Sequence, residues 1–333
     1  MSNVHQESHP FAQYVRILGR GKNGTRSLDF DEAYAAMSMI MSAEVEPMQL
    51  GAFLMLLRVK EESPEELAGF VKAVRDSSAP PGKLIKADLD WSSYAGKRQH
   101  HPWFLLAALT LADNGVKVFM HGTSGHTPGR LYTEAALRQL NIRICDSWEQ
   151  AATELDNQHF AFMPVACFSP IMEQLLQLKP LLGLRSVANS MARLLNPTSA
   201  NASIHSIFHP RYGEIHQQTL QLLRQPAAAV FKGEGGEVER KPDATCEVLN
   251  LHAGELQQQR WPRLLAGRAE KPSQPTLEPL LKLWKDIDFI PYGYEAVIGT
   301  LAIAVQTLEP DLDIPNALTK AKNMWESRNR SRL

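Results

Sequence analysis

The sequence predicts an α/β protein with an N-terminal all-helical lobe, and three observations carry that expectation. Apolar residues recur at helical spacing from about Phe11 to Ser77, a turn cluster SAPPGKL follows at 78–84, and beyond it short β-branched or aromatic runs alternate with helical stretches. Strands alternating with helices give a mainly parallel sheet covered on both faces, because each parallel connection must cross back over the sheet. The expected division is a helical lobe over residues 1–80 and an α/β domain over 81–333, with a helical stretch at 172–195 packing back on the first lobe.

In the first lobe, Ala33, Met37, Ile40 and Met41 make one apolar stripe, and Leu50, Phe53, Leu54 and Leu57 make another. Ser63, Pro64 and Glu66 form a capping-box start to a further helix, since Ser accepts a backbone N–H and the Glu three residues on reaches back. After the turn cluster, KVFMHG (117–122), HFAFMPV (159–165), AAAVFKG (227–233) and CEVLNL (246–251) read as strands. PWFLLAALTLADNG (102–115) and PGRLYTEAALRQLN (128–141) read as helices. The segment 196–214 has no predictable path. The proline-rich 255–285 is expected to be a looser connection before helices at 293–307 and 314–328.

Composition narrows the classes. With 44% apolar and 21% charged side chains over 333 residues, the chain can bury one large two-lobed core. Its longest apolar runs, 51–57 and 104–112, are well short of the roughly 18–20 residues a bilayer span needs, so no membrane partner is expected. The N-terminus lacks a charged start followed by an apolar core, which points to a cytoplasmic protein. Cys145, Cys167 and Cys246 are scattered, so neither a metal cluster nor a disulfide framework is expected. The net charge of −1 hides basic segments at 14–26, 174–226 and the last eighteen residues, while acids gather around 232–256.

Four passages together resemble the anthranilate phosphoribosyltransferase family and its nucleoside-phosphorylase relatives: residues 32–75, KVFMHG, LLGLRSVANSMARLLNP (181–197) and AAAVFKGEGGEVE (227–239). LGRGKNGTRSLD (18–29), SYAGKRQ (93–99), FMHGTSGHTPGRLYTE (119–134) and FMPVACFSP (162–170) are similar to its YbiB branch, described as nucleic-acid-binding relatives of the enzyme. The resemblance implies that fold, a homodimer paired through the helical lobes, and a phosphoribosyl-diphosphate pocket.

In this sequence the pocket looks degenerate. The glycine-rich phosphate turn of the family falls on about Ser92 to Gly96, where only Gly96 remains, followed by Lys97 and Arg98. Its His-Pro is Ser169-Pro170, and its magnesium-holding acid pair falls on Gly236-Glu237, leaving Glu237 as a weak metal candidate. His121, Gly122, Thr123, Ser124 and Arg130 keep part of an anion pocket, and Arg185 and Asn189, one helical turn apart, occupy positions that face the aromatic substrate in the family.

The leading expectation is therefore a nucleic-acid binder without strong sequence preference, built on a phosphoribosyltransferase scaffold. Its phosphate contacts would come from Arg20, Lys22, Lys97, Arg98, His121, Gly122, Arg130, Arg185, Asn189, Arg193 and Arg211, with Trp91, Tyr94, Trp103, Phe208 and Tyr212 interleaved for stacking. It assigns no catalytic residue and needs no cofactor. The alternative is a phosphoribosyltransferase acting on phosphoribosyl diphosphate and an aromatic acceptor, with Mg2+ as its cofactor. A third is a binding module for a small phosphorylated metabolite.

Overall fold

The structure is a computed structural model that describes residues 8–21, 23–80, 85–123, 125–268 and 271–333. Lys22, Ser124 and most of the expected hinge, 81–84, lie outside these residues. The N-terminal part consists of α1 (Ala12–Gly19), α2 (Phe30–Met41), α3 (Pro47–Lys60) and α4 (Pro64–Ser78). The capping box at Ser63 is present, and the same Glu66 carboxylate accepts from Leu28 N–H and from Lys60. One buried acid thus ties α3, α4 and the start of α2, with its lone pairs taken by hydrogen-bond donors as burial requires.

The α/β part carries β1 (Leu89–Ser93), β2 (Val118–Gly122), β3 (Phe160–Pro164), β4 (Ala202–Ile207), β5 (Ala227–Lys232), β6 (Cys246–His252) and β7 (Glu255–Trp261). They form one sheet in the order β3-β2-β1-β4-β5-β6-β7, parallel through β5 and antiparallel at β6 and β7. Alternate residues serve opposite faces: Val118 and Met120 join one apolar cluster while Phe119 joins the other. The helices between and after the strands are α5 (Phe104–Asp113), α6 (Thr133–Gln139), α7 (Trp148–Gln158), α8 (Val165–Phe168), α9 (Pro170–Leu176), α10 (Lys179–Leu182), α11 (Ala188–Met191), α12 (Tyr212–Leu222), α13 (Glu278–Trp284), α14 (Pro291–Leu308) and α15 (Ile314–Glu326).

Three expectations are corrected. The 196–214 segment contains β4 and leads into α12; ASIHSI is buried along its length, but Ser203, His205 and Ser206 break any apolar run. The supposedly loose 255–285 begins with β7, an edge strand whose polar ELQQQRW pairs with β6 on one side only, and ends in α13. The 172–195 helix is in fact α9, α10 and α11 with a closing 3₁₀ turn, broken where Gly183 adopts φ +74°. Met172, Leu175, Val187 and Met191 share a core with Phe53, Leu57 and Phe70 of the helical lobe.

His205 illustrates how the sheet accommodates polar side chains. Its Nδ1 lies 2.6 Å from the Arg193 carbonyl and its Nε2 2.8 Å from Ser203 Oγ, which suits the neutral ring. Burial pulls its pKa down to about 4, and burial likewise pulls His216 down to about 3. Both rings take up a proton less readily in the folded protein than in the unfolded chain, so their stabilisation is present at neutral pH and is lost as pH falls from 6.5 towards 4. His205 alone accounts for about 3 kcal/mol over that window. Urea unfolding at pH 5 should give a lower midpoint than at pH 7, and H205Q should narrow the difference.

Candidate active site

The strand order reverses between β1 and β4, and in open α/β sheets ligands lie beyond the C-terminal ends of the strands at such a point. Three segments meet there: the turn Tyr94–Lys97 after β1, residues 125–130 after β2, and the loop 233–239 after β5. Close approach of β1 and β2 requires Gly122, because a Cβ there would collide with the Ser93 carbonyl. Gly235 and Gly236, at φ +67° and +90°, let the third loop double back on the first.

That loop delivers two carboxylates. Glu237, 1% exposed, accepts Ala95 N–H at 2.7 Å and Gly96 N–H at 2.5 Å through Oε1, and Ser93 Oγ at 2.8 Å through Oε2. Glu239, fully buried, pairs with Lys97 Nζ at 2.6 Å and accepts Phe104 N–H at 2.9 Å, holding the start of α5. Burial pushes the Glu239 carboxyl up to about 7 against the opposing pull of Lys97. All four carboxylate oxygens are engaged by donors. A magnesium ion needs oxygens that face it unencumbered, so these residues do not fit one in this arrangement. Among the described residues, no group of three or more His, Cys, Asp or Glu is placed to hold a metal ion.

On the other side of the turn, Tyr94 Oη lies 2.7 Å from His121 Nδ1, and His121 Nε2 lies 3.3 Å from Asp90. All three side chains are buried. Around them stand Arg130, Arg185 and Arg193, and none forms an ion pair among the described residues. Arg130 donates to the carbonyls of Ala95 and Gly96 while its Nε is buried without a partner. Arg193 donates to the carbonyls of Ser206 and Gly236, and Arg185 reaches Thr127 Oγ1 at 3.5 Å. Burial, reinforced by Arg130, holds Arg185 below its ordinary pKa; burial also lowers Arg193, with Arg185 and Arg130 adding to it and Glu237 opposing. Three mutually repelling guanidiniums are a built-in demand for an anion. Beside them opens a cleft of about 780 Å³ lined by Arg98, Arg130, Phe208, Lys232, Glu234 and Leu249 among others.

Arg130, Arg185 and Arg193 are therefore brought together, and Arg98 is exposed at the cleft. The others are placed differently. Lys97 is 1% exposed and neutralised by Glu239, Arg211 is paired with Glu61 at 2.6 Å, and His121 is sealed between Tyr94 and Asp90. Arg20 lies exposed at the end of α1, away from the residues lining the cleft, and Lys22 is outside the described residues. Asn189 is half-buried in α11, not one turn along a continuous helix from Arg185. Glu237 holds backbone N–H groups instead of a metal. Sequence reasoning missed Glu239 and Asp90. An acid within GEVE or LDW carries no signal until its partners are known.

Comparisons with known proteins agree with this geometry. Residues 12–78 match the helical bundle domain of a glycosyl transferase family, and residues 104–261 match its a/b domain. The uncharacterized protein YbiB of Escherichia coli K12 is 30% identical over 248 residues, 72% of this chain and 76% of that one. An anthranilate phosphoribosyltransferase of Ignicoccus hospitalis is 29% identical over 222 residues, 66% of this chain and 65% of that one. Anthranilate phosphoribosyltransferase from Thermus thermophilus shares the fold with a TM-score of 0.80 at 21% identity, over 96% of each chain. The Saccharomyces cerevisiae enzyme in complex with PRPP and Mg gives 0.77 at 16%, over 98% of this chain and 96% of that one. This chain belongs to the glycosyl transferase family defined by that helical bundle and a/b domain.

These relatives overturn the expectation of a nucleic-acid binder, since the named activities among them are anthranilate phosphoribosyl transfer. The side chains agree. Trp91, Tyr94 and Trp103 are core residues at 0 to 2% exposure, so they offer bases no stacking platform, and Lys97 and Arg211 are already paired. Among the described residues no helix is long and apolar enough to cross a membrane.

Lys97 thus acts as a structural cation. K97M should cost about 3–5 kcal/mol in urea unfolding, because it strands a buried carboxylate. K97M/E239Q should recover at least half of that loss, the glutamine oxygen still accepting Phe104 N–H; no recovery would place the role of Lys97 elsewhere.

Proposed function

We propose that the chain is a phosphoribosyltransferase that moves the phosphoribosyl group of phosphoribosyl diphosphate to an aromatic acceptor. The observation that carries this reading is the convergence of Arg130, Arg185 and Arg193, without carboxylate partners among the described residues, at the strand-end crevice of a fold shared with anthranilate phosphoribosyltransferases. Such a cluster stabilises anionic groups of the substrates and, above all, the charge that grows on the departing diphosphate. A nitrogen of the acceptor forms a bond to ribose C1 as the C1–O bond to diphosphate breaks, and the proton released from nitrogen passes to solvent. Phe208, half exposed at the cleft, together with Ile207 and Leu249 supplies an apolar surface for an aromatic ring. Magnesium enters no step of this reading, because the carboxylates beside the turn are committed to protein donors.

Diphosphate release from phosphoribosyl diphosphate should be measured first with anthranilate and then with other aromatic amines and bases. Product is expected, and R185A should lower kcat/KM by roughly 10- to 100-fold, the loss of one charge-assisted contact. No release above background with any acceptor would overturn the assignment.

We further propose a homodimer formed through the helical lobe. Met48 at the start of α3 is 86% exposed and Leu181 of α10 is 81% exposed. The two helices are neighbours, since a Cβ at Gly51 would lie 4.0 Å from Leu182. Light scattering should report a dimer, and M48E/L181E should convert it to a monomer.

A further inference from the structure

A pair of successive backbone N–H groups that point the same way on a tight turn is an anion site, because their dipoles converge. In this chain that site is filled from within. Ala95 and Gly96 N–H both point at Glu237 Oε1, at 2.7 and 2.5 Å, while Ser93 Oγ donates to Oε2 at 2.8 Å. The carboxylate is 1% exposed, and Arg193 Nη1 grips the preceding Gly236 carbonyl at 2.7 Å.

The loop carrying Glu237 doubles back on itself to reach this position, with Glu237 N–H donating to the Glu234 carbonyl and Glu239 N–H to the Glu237 carbonyl. Gly235 and Gly236 take φ +67° and +90°, and nothing lies within 4 Å of a Cβ position at Gly235, so the tip faces open space. Among the described residues Glu237 makes no ion pair that would hold it after its three donors are released; the nearby Arg193 guanidinium acts at longer range. Glu239, two residues on, is fixed by Lys97 and by Phe104 N–H and marks the point where the loop is pinned.

We propose that Glu237 is a tethered competitor for the anion site of the 93–96 turn, which accepts a phosphate or diphosphate group only when Glu237 withdraws, and does so without a bridging divalent cation. The identity of the anion rests on the phosphoribosyltransferase reading; the competition itself rests on the hydrogen bonds of Glu237. A tethered carboxylate acts at a high effective concentration, so it lowers the apparent affinity of a free anion without changing the site.

The test is calorimetric titration of inorganic diphosphate into the full chain, E237A and E237Q, each with and without EDTA. Urea unfolding of each variant verifies a cooperative fold, and E237Q, which can still accept the Ala95 and Gly96 N–H groups, serves where E237A does not fold. E237A should bind diphosphate at least about tenfold tighter than the unaltered chain, and E237Q tighter by a smaller factor, because its neutral amide competes for the same N–H groups less strongly than a carboxylate; neither gain should change on chelation. Equal or weaker binding by the folded variants would overturn the proposal, as would a gain that disappears with EDTA. Tighter binding with no phosphoribosyl transfer to any acceptor would sink the enzymatic reading and leave this one standing. Turnover with unchanged diphosphate affinity would do the reverse.

Discussion

The clamp that Glu237 and Glu239 place on the turn after β1 governs the rest of the site. One carboxylate takes the backbone N–H groups of Ala95 and Gly96, and the other takes Lys97 and the first N–H of α5. Through two residues of a single loop, the end of β1, the start of α5 and the segment after β5 become one unit. Inside a low-dielectric interior such contacts are strong, and each depends on the others, because any member left alone would be a buried unpaired polar group.

That clamp also explains how the cations divide. Lys97 enters the interior only because Glu239 accompanies it, and once paired it has no charge to offer a ligand. Arg130, Arg185 and Arg193 meet backbone carbonyls and a hydroxyl instead, which take up some of their donors without cancelling their charge. A guanidinium can do this because its donors form a planar fork and its charge is always present. The positive potential therefore gathers on the arginine side of the turn and not at Lys97.

The scaffold and the site obey different constraints. The backbone of this family persists at 16 to 21% identity because alternating apolar residues and strand order define it. The pairing of charges at the strand ends is a property of this chain's own side chains, where a lysine follows the turn and one glutamate closes it. Function on a shared fold is decided by such local pairings.

Much of the architecture was legible from the amino-acid order. The helical stripes of 33–41 and 50–57, the cap at Ser63 and four of the seven strands follow from short-range periodicity, which the chain cannot hide because each element must bury one face. The polar strands β1, β4 and β7 did not follow from it, since their burial or edge position comes from neighbours distant in sequence. In the site, the residue types were readable and their roles were not. Lys97 and Arg130 look equally available in a linear reading, and only the fold brings Glu239, 142 positions away, to neutralise the first while leaving the second among carbonyls. Composition and pattern determined that the chain forms a helical lobe and a mainly parallel sheet, and left open whether its basic segments share one face. Tertiary structure alone decided which charges there are spent on the protein and which remain for a ligand, because charge pairing acts through space over a few ångströms and takes no account of sequence distance.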